Sequence, residues 1–183
     1  MANKPNLNSG SKRYSKGLYE IRNIDKYIGN PSECIFRSSW ELKFMVYCDL
    51  HHSVKKWGSE TAQIQYFMKN DRTGVMEPHR YFPDFYIEKI DPNDPDVDKK
   101  YFIELKPFKE YKPDFVKYES DGSLRIITPG SRKSLKAFEN FEYQVKTFQK
   151  NLAKWQAATI WCNKRYMEFV VIHEHILKEW GVL

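Results

Sequence analysis

Apolar and polar positions are most sharply patterned in two stretches, Tyr81-Phe82-Pro83-Asp84-Phe85-Tyr86-Ile87 and Tyr101-Phe102-Ile103-Glu104-Leu105-Lys106-Pro107. Both are rich in the aromatic and β-branched residues that favour strands. The turn-forming run Asp91-Pro92-Asn93-Asp94-Pro95-Asp96 separates them, so the pair predicts a β-hairpin. Side chains alternate along a strand with period two, which puts Glu104 and Lys106 on one face and Ile103 and Leu105 on the other. A helical period governs 33–50, where Phe36, Trp40, Phe44 (or Leu42) and Tyr47 recur. Ser38-Ser39-Trp40-Glu41 has the form of a capping box and sets the helix start near Ser38. Residues 54–60 read as a short strand or turn, Gln63 to Lys69 as a strand, and Asn70 to Gly74 as a turn. Over 133–156 the residues Leu135, Phe138, Phe141, Val145, Phe148 and Leu152 share one face of the longest helix. Ala157 to Cys162 and Tyr166 to Ile172 read as strands, and the stretch from His173 as a short helix. Together these elements predict an α/β fold. A central mixed β-sheet carries the 33–50 helix on one side and has the 133–156 helix packed against it.

Length and charge narrow the picture. A chain of 183 residues supports one domain with a proper core, and no internal repeat or linker divides it. No apolar run approaches a membrane span, and Met-Ala-Asn-Lys-Pro-Asn carries no apolar leader, so neither membrane insertion nor secretion is expected. Cys34, Cys48 and Cys162 are odd in number and lack Cys-x-x-Cys spacing, as expected of free thiols in a reducing compartment. The net charge of +6 favours a polyanionic partner such as DNA. Residues 1–32 are polar and basic, with Lys4, Lys12, Arg13, Lys16, Arg22 and Lys26. A mobile arm that tracks phosphates is expected there, ahead of a single domain at 33–183.

The candidate chemistry lies in the hairpin. Asp84, Glu104 and Lys106 are charged residues in segments otherwise built for burial, which is costly unless they pair or bind a metal. Two carboxylates, often with a backbone carbonyl, suit Mg²⁺, and a neighbouring lysine can orient water or stabilise charge. Glu41 has two readings: a helix cap, or a carboxylate pointing from the helix toward the metal. Three other motifs are set aside. Pro113-Asp114 is followed by no Glu-x-Lys strand. Asp91 to Asp98 lacks the glycine and closing glutamate of an EF-hand. His173-Glu174-His175 has no third ligand nearby in sequence.

Pro83-Asp84 and Glu104-Leu105-Lys106 resemble the Pro-Asp … (Asp/Glu)-x-Lys signature of the restriction-endonuclease-like nuclease superfamily. Further blocks agree in order: Arg37-Ser38-Ser39-Trp40-Glu41-Leu42, Tyr47-Cys48-Asp49, Trp57-Gly58-Ser59-Glu60, Arg80-Tyr81-Phe82-Pro83-Asp84-Phe85 and Ile103-Glu104-Leu105-Lys106-Pro107. In these blocks the chain resembles the head completion nucleases of T4-like tailed bacteriophages, and it is similar to the catalytic domain of TnsA-type transposon endonucleases. The resemblance implies a restriction-endonuclease-like core and a Mg²⁺-dependent DNA nuclease, with Mn²⁺ as a substitute ion. It also implies action late in head assembly, in the host cytoplasm or on the particle. Asp84, Glu104 and the Leu105 carbonyl are then the expected metal ligands, completed by Glu41. Lys106 is the catalytic lysine and Gln65 a supporting residue. Arg13, Lys16, Arg37, Arg80 and Lys109 are expected phosphate contacts. The expected partners are double-stranded DNA and phage portal, neck or other head proteins. A non-catalytic neck protein and a restriction or transposon endonuclease with a separate targeting partner are the alternatives.

Overall fold

The computed structural model describes residues 16–183, except 92, 129 and 131–133. Two short strands, β1 (Gly17–Leu18) and β2 (Ile35–Phe36), pair ahead of helix α1 (Ser39–Leu50). Then follow β3 (Val54–Ser59), β4 (Ile64–Lys69), β5 (Met76–Tyr81), β6 (Phe85–Asp91) and β7 (Asp94–Leu105). The chain closes with α2 (Phe108–Tyr111), β8 (Val116–Tyr118), β9 (Leu124–Ile126), α3 (Leu135–Asn163), β10 (Glu168–Ile172) and α4 (Glu174–Glu179).

The central sheet has the strand order β10-β7-β6-β3, with β10 parallel to β7 and the other pairs antiparallel. It is mixed, as expected. One face buries Phe85, Ile87, Ile103, Leu105 and Ile172 against Phe44, Met45 and Cys48 of α1. The opposite parity carries Phe102, whose ring meets Trp161 of α3 edge-on at 5.4 Å. The two long helices therefore cover opposite faces of the sheet. β4 and β5 form a separate ribbon whose Ile64, Tyr66 and Tyr81 pack on Ala153, Ala157 and Ala158 of α3.

Four expectations change. The hairpin turn is shorter than its sequence suggests, because Asp91 pairs with Asp94, and β7 continues from there through a register shift to Asp98 opposite Ile90. Charge complementarity holds that polar half in the ladder: Glu88 lies opposite Lys100, and Lys99 reaches Asp91 at 3.0 Å. Tyr81 to Ile87, expected as one strand, is divided: Tyr81 ends β5, which pairs with β4, and β6 begins only at Phe85. Ala157 to Cys162 is helix, not strand. Its β-branched Thr159 and Ile160 are exposed, while Ala157, Ala158 and Trp161 pack toward the ribbon, so tertiary contacts override local preference. The helix stops where Tyr166 turns left-handed at φ 56° and Met167 N–H donates to the Cys162 carbonyl at 3.1 Å.

The fourth change concerns the arm. Its described part, residues 16–32, is seated on the core rather than free. The anchor is Asp49, fully buried on α1. Its carboxylate accepts Tyr19 Oη at 2.9 Å and the backbone N–H groups of Arg22 at 2.8 Å and Asn23 at 2.9 Å. Further along, Ile28 N–H donates to the Trp57 carbonyl at 2.7 Å. That close pass requires Gly58, since a Cβ there would collide with the Ile28 carbonyl and the Thr61 methyl. Residues 1–15, including Arg13, lie outside the described residues.

Asp49→Ala orphans three donors at once, each lost partner costing about 1–3 kcal/mol. Denaturant unfolding should register a loss of about 3 kcal/mol or more, with faster proteolysis near Arg22. A loss below ~1 kcal/mol would place the seat of this segment elsewhere.

Candidate active site

Four chain segments meet at one end of the sheet. β3 and β7 finish there, β6 begins there, and β10 runs in parallel up to Ile172 opposite Leu105. Pro83 and Asp84 form the joint between the ribbon and β6. The Asp84 carbonyl accepts Glu60 N–H at 3.1 Å, which fixes the joint against the end of β3. The Asp84 carboxylate accepts Leu105 N–H at 2.7 Å, so it sits directly beside Glu104 in the chain. Glu104 is only 2 % exposed. One of its oxygens accepts Tyr81 Oη at 2.6 Å, and the other pairs with Lys106 Nζ at 3.0 Å. Lys106 is held in turn through its backbone N–H, which donates to the Ile172 carbonyl at 3.0 Å. Asp84, Glu104 and Lys106 thus come together as period-two reasoning expects.

The charges are strained by their setting. Burial, followed by the Glu104 charge, pushes the Asp84 carboxyl well above the usual carboxylate range. The Leu105 N–H and Lys106 offset only part of that. Burial pulls Lys106 down, but Glu104 and Asp84 outweigh it, so its net shift is upward and it stays protonated. Burial, then Glu104, drives the Tyr81 phenol up, which keeps it a donor. Lys154, on α3, is lowered by burial, against the pull of Glu104. Its Nζ stands 5.2 Å from the centre of the Tyr81 ring.

The other expected residues lie as follows. Glu41 forms the capping box: its N–H donates to Ser38 Oγ at 3.1 Å, and its carboxylate accepts Ser38 Oγ at 2.9 Å and Arg37 N–H at 2.7 Å. Its charge is still felt at Asp84. The Arg37 guanidinium is engaged by Glu60, at 2.7 and 3.0 Å, in a forked pair beside the Asp84 joint. Gln65 is exposed and lies opposite Arg80 on the ribbon, on the face away from Ile64 and Tyr81. Lys109 is exposed on α2, at the rim of a cavity of about 800 Å³ lined by Phe115, Phe141, Phe148 and Asn151. Lys16 is exposed at the start of the described chain. Among the described residues, no group of three His, Cys, Asp or Glu is arranged to hold a metal, so the acidic centre is the pair Asp84 and Glu104.

Sequence reasoning missed Tyr81 and Lys154. An aromatic residue just ahead of Pro-Asp was a visible signal for Tyr81. Lys154 had none, since only the packing of α3 on the sheet brings it near Glu104. The His173-Glu174-His175 motif has a structural task. Glu174 accepts Phe108 N–H at 2.7 Å, and both histidine rings flank Phe108, which pins the chain just past Lys106.

A mixed sheet with Asp, Glu and Lys at one strand end, flanked by helices on both faces, defines a restriction-endonuclease-like nuclease domain. The chain belongs to the TnsA-like endonuclease family: residues 51–174 match the family model described as TnsA-like endonuclease N terminal. It is also 30 % identical over 165 residues to the head completion nuclease of Enterobacteria phage T4, covering 90 % of this chain and 95 % of that protein. The family match spans Asp84, Glu104 and Lys106 and begins after α1, so Glu41 lies outside it.

The raised Asp84 carboxyl predicts a pH effect in chelator. Between the ordinary carboxylate range and its raised value, the native state keeps a proton that the unfolded state releases. Stability therefore falls as pH rises through that window. Asp84→Asn should flatten this slope and melt higher at neutral pH, each 1 kcal/mol relieved adding about 2–4 °C. Parallel pH profiles for parent and variant would remove the strain.

Proposed function

We propose that this protein is a Mg²⁺-dependent DNA nuclease of low sequence specificity. On this reading it acts late in phage head maturation, trimming or cutting packaged DNA before head-tail joining. The observation that carries the reading is the meeting of Asp84, Glu104 and Lys106 at one strand end within an endonuclease-family domain. Similarity over nearly the whole length of a head completion nuclease supports the phage role.

The donor set fits the ion. Mg²⁺ is usually held by one or two carboxylates and keeps several waters. Asp84 and Glu104 supply hard oxygens side by side, and Lys106 is the one cation paired with them among the described residues. Asp84, Glu104 and the Leu105 carbonyl would hold Mg²⁺ (or Mn²⁺), with Glu41 reaching it through water, or directly only by leaving its cap on Ser38 and Arg37. The ion supplies Lewis acidity, activating water and offsetting charge that builds on the phosphate. The rest is the work of the chain. Lys106, kept protonated, stabilises negative charge on the phosphate and orients the attacking water by donating to it; it does not take its proton. Tyr81 holds Glu104 in place. Arg13, Lys16, Arg80 and Lys109 are assigned to phosphates, which position duplex DNA without reading its sequence. Arg37 joins them only by exchanging Glu60 for a phosphate. Portal, neck or other head proteins are the protein partners on this reading. A transposon-type endonuclease with a separate targeting partner is the second reading, favoured by the family to which the domain belongs. The genes beside this one separate the two.

Three variants divide the roles. Asp84→Ala should lose both Mg²⁺ binding, by titration calorimetry, and nicking of supercoiled plasmid. Lys106→Ala should still bind Mg²⁺ while nicking falls by on the order of 10²-fold or more. Glu41→Ala should fall between them if it reaches the ion; as a cap alone it should cost ~1 kcal/mol of stability and leave the rate unchanged. Lys106→Ala nicking at the parental rate would refute the mechanism.

A further inference from the structure

α3 crosses the same sheet face that presents Glu104, and it brings a lysine there that the metal chemistry above does not use. Lys154 lies half-buried about two-thirds of the way along the helix, between Ala153 and Trp155. Its Nζ rests against the Tyr81 ring, 5.2 Å from its centre, and the hydroxyl of that ring donates to Glu104 at 2.6 Å. Lys106 already pairs with Glu104 at 3.0 Å. Lys154, by contrast, has no carboxylate within ion-pair reach among the described residues. A half-buried ammonium without an anionic partner is costly, and the cost is relieved when an anion arrives. The cation–ring contact holds the ammonium over the ring whose hydroxyl bonds Glu104, without neutralising it.

The helix extends this charge outward. Lys150 and Lys146 follow at four-residue steps, about 6 Å apart along the axis, and both are exposed. Lys146 is tied to Asp71 of the ribbon turn at 2.7 Å. The stripe therefore runs along the ribbon side of α3 and ends at Lys154, beside Tyr81.

We propose that Lys154 is a second catalytic cation, contacting a non-bridging oxygen of the phosphate that is cleaved; this rests on the nuclease reading above. In hydrolysis a water oxygen bonds to phosphorus and gives up a proton, the ester bond to the leaving oxygen breaks, and that oxygen takes up a proton in its place. Negative charge grows on the non-bridging oxygens during that exchange. Lys106 is shared with Glu104, so Lys154 is the cation with an unclaimed charge to offer them. Phosphate groups, rather than bases, are the ligand, because an ammonium is a compact point charge without the planar fork of arginine.

The test uses the full chain with Lys154→Met, Lys154→Gln and Lys154→Arg; the glutamine variant keeps a polar tip should the methionine variant fail to fold. Binding to a duplex oligonucleotide is measured in chelator over a range of salt, and plasmid nicking with Mg²⁺. The neutral variants should lower the slope of log affinity against log salt by about 0.9, the value of one phosphate contact. Nicking should fall by on the order of 10²-fold. Lys154→Arg should restore the slope and most of the rate. A role confined to packing beside Tyr81 cannot change the slope, so a neutral variant with the parental slope overturns the proposal, whatever its rate. A parent that nicks no plasmid with Mg²⁺ or Mn²⁺ sinks the nuclease reading itself. A parent that nicks, paired with an unaltered slope in the variants, sinks only the assignment of Lys154.

Discussion

One hydrogen bond organises the site: the Asp84 carboxylate accepting Leu105 N–H. It joins the start of one strand to the end of the next, where two carboxylates would otherwise repel. Without it the Pro83-Asp84 joint would be held only from the β3 side, through Glu60 N–H, and the Asp84 carboxylate would lose its fixed place beside Glu104. The acidic pair is thus assembled by backbone geometry first and by opposite charge second.

That joint is braced from the opposite direction by the N-terminal end of α1. Ser38 and Glu41 close the first turn of the helix, which places Arg37 where its guanidinium forks onto Glu60. Glu60 holds a left-handed backbone at φ 50° while its N–H reaches the Asp84 carbonyl. A non-glycine residue in that region costs of order 1 kcal/mol or more, and it persists where surrounding contacts over-determine it. Here the Arg37 fork and the Asp84 carbonyl do so. The block Trp57-Gly58-Ser59-Glu60 therefore reads physically as a glycine that admits a neighbouring chain and a glutamate that turns a corner.

Much of this was legible in the sequence because period two is unforgiving. Ile103 and Leu105 had to face one way, which left Glu104 and Lys106 facing the other, with Asp84 across the hairpin. The capping box was equally plain, since Ser38 and Glu41 stand three apart ahead of an apolar run. What failed was whatever depended on distant packing. Tyr19, Arg22 and Asn23 look like part of a solvated arm until a buried acceptor, Asp49, is placed beneath them. Thr159 and Ile160 look like strand residues until Ala158 and Trp161 are seen packing toward the ribbon. Lys154 is one lysine among many until α3 is laid across the sheet.

The order in which the chain is made adds a consequence. Leu105 and Lys106 lie far ahead of the segments that hold them, since Ile172 supplies the carbonyl for Lys106 N–H and Glu174 the acceptor for Phe108 N–H. Some 70 residues separate Glu104 from Glu174. At ordinary rates of synthesis those residues take on the order of several seconds to emerge. During that interval β7 has no parallel neighbour, and the loop after it has nothing to rest on. A growing chain tethered to its ribosome carries Asp84 and Glu104 before the frame that holds them, so the acidic pair takes its final shape only once β10 and α4 have emerged.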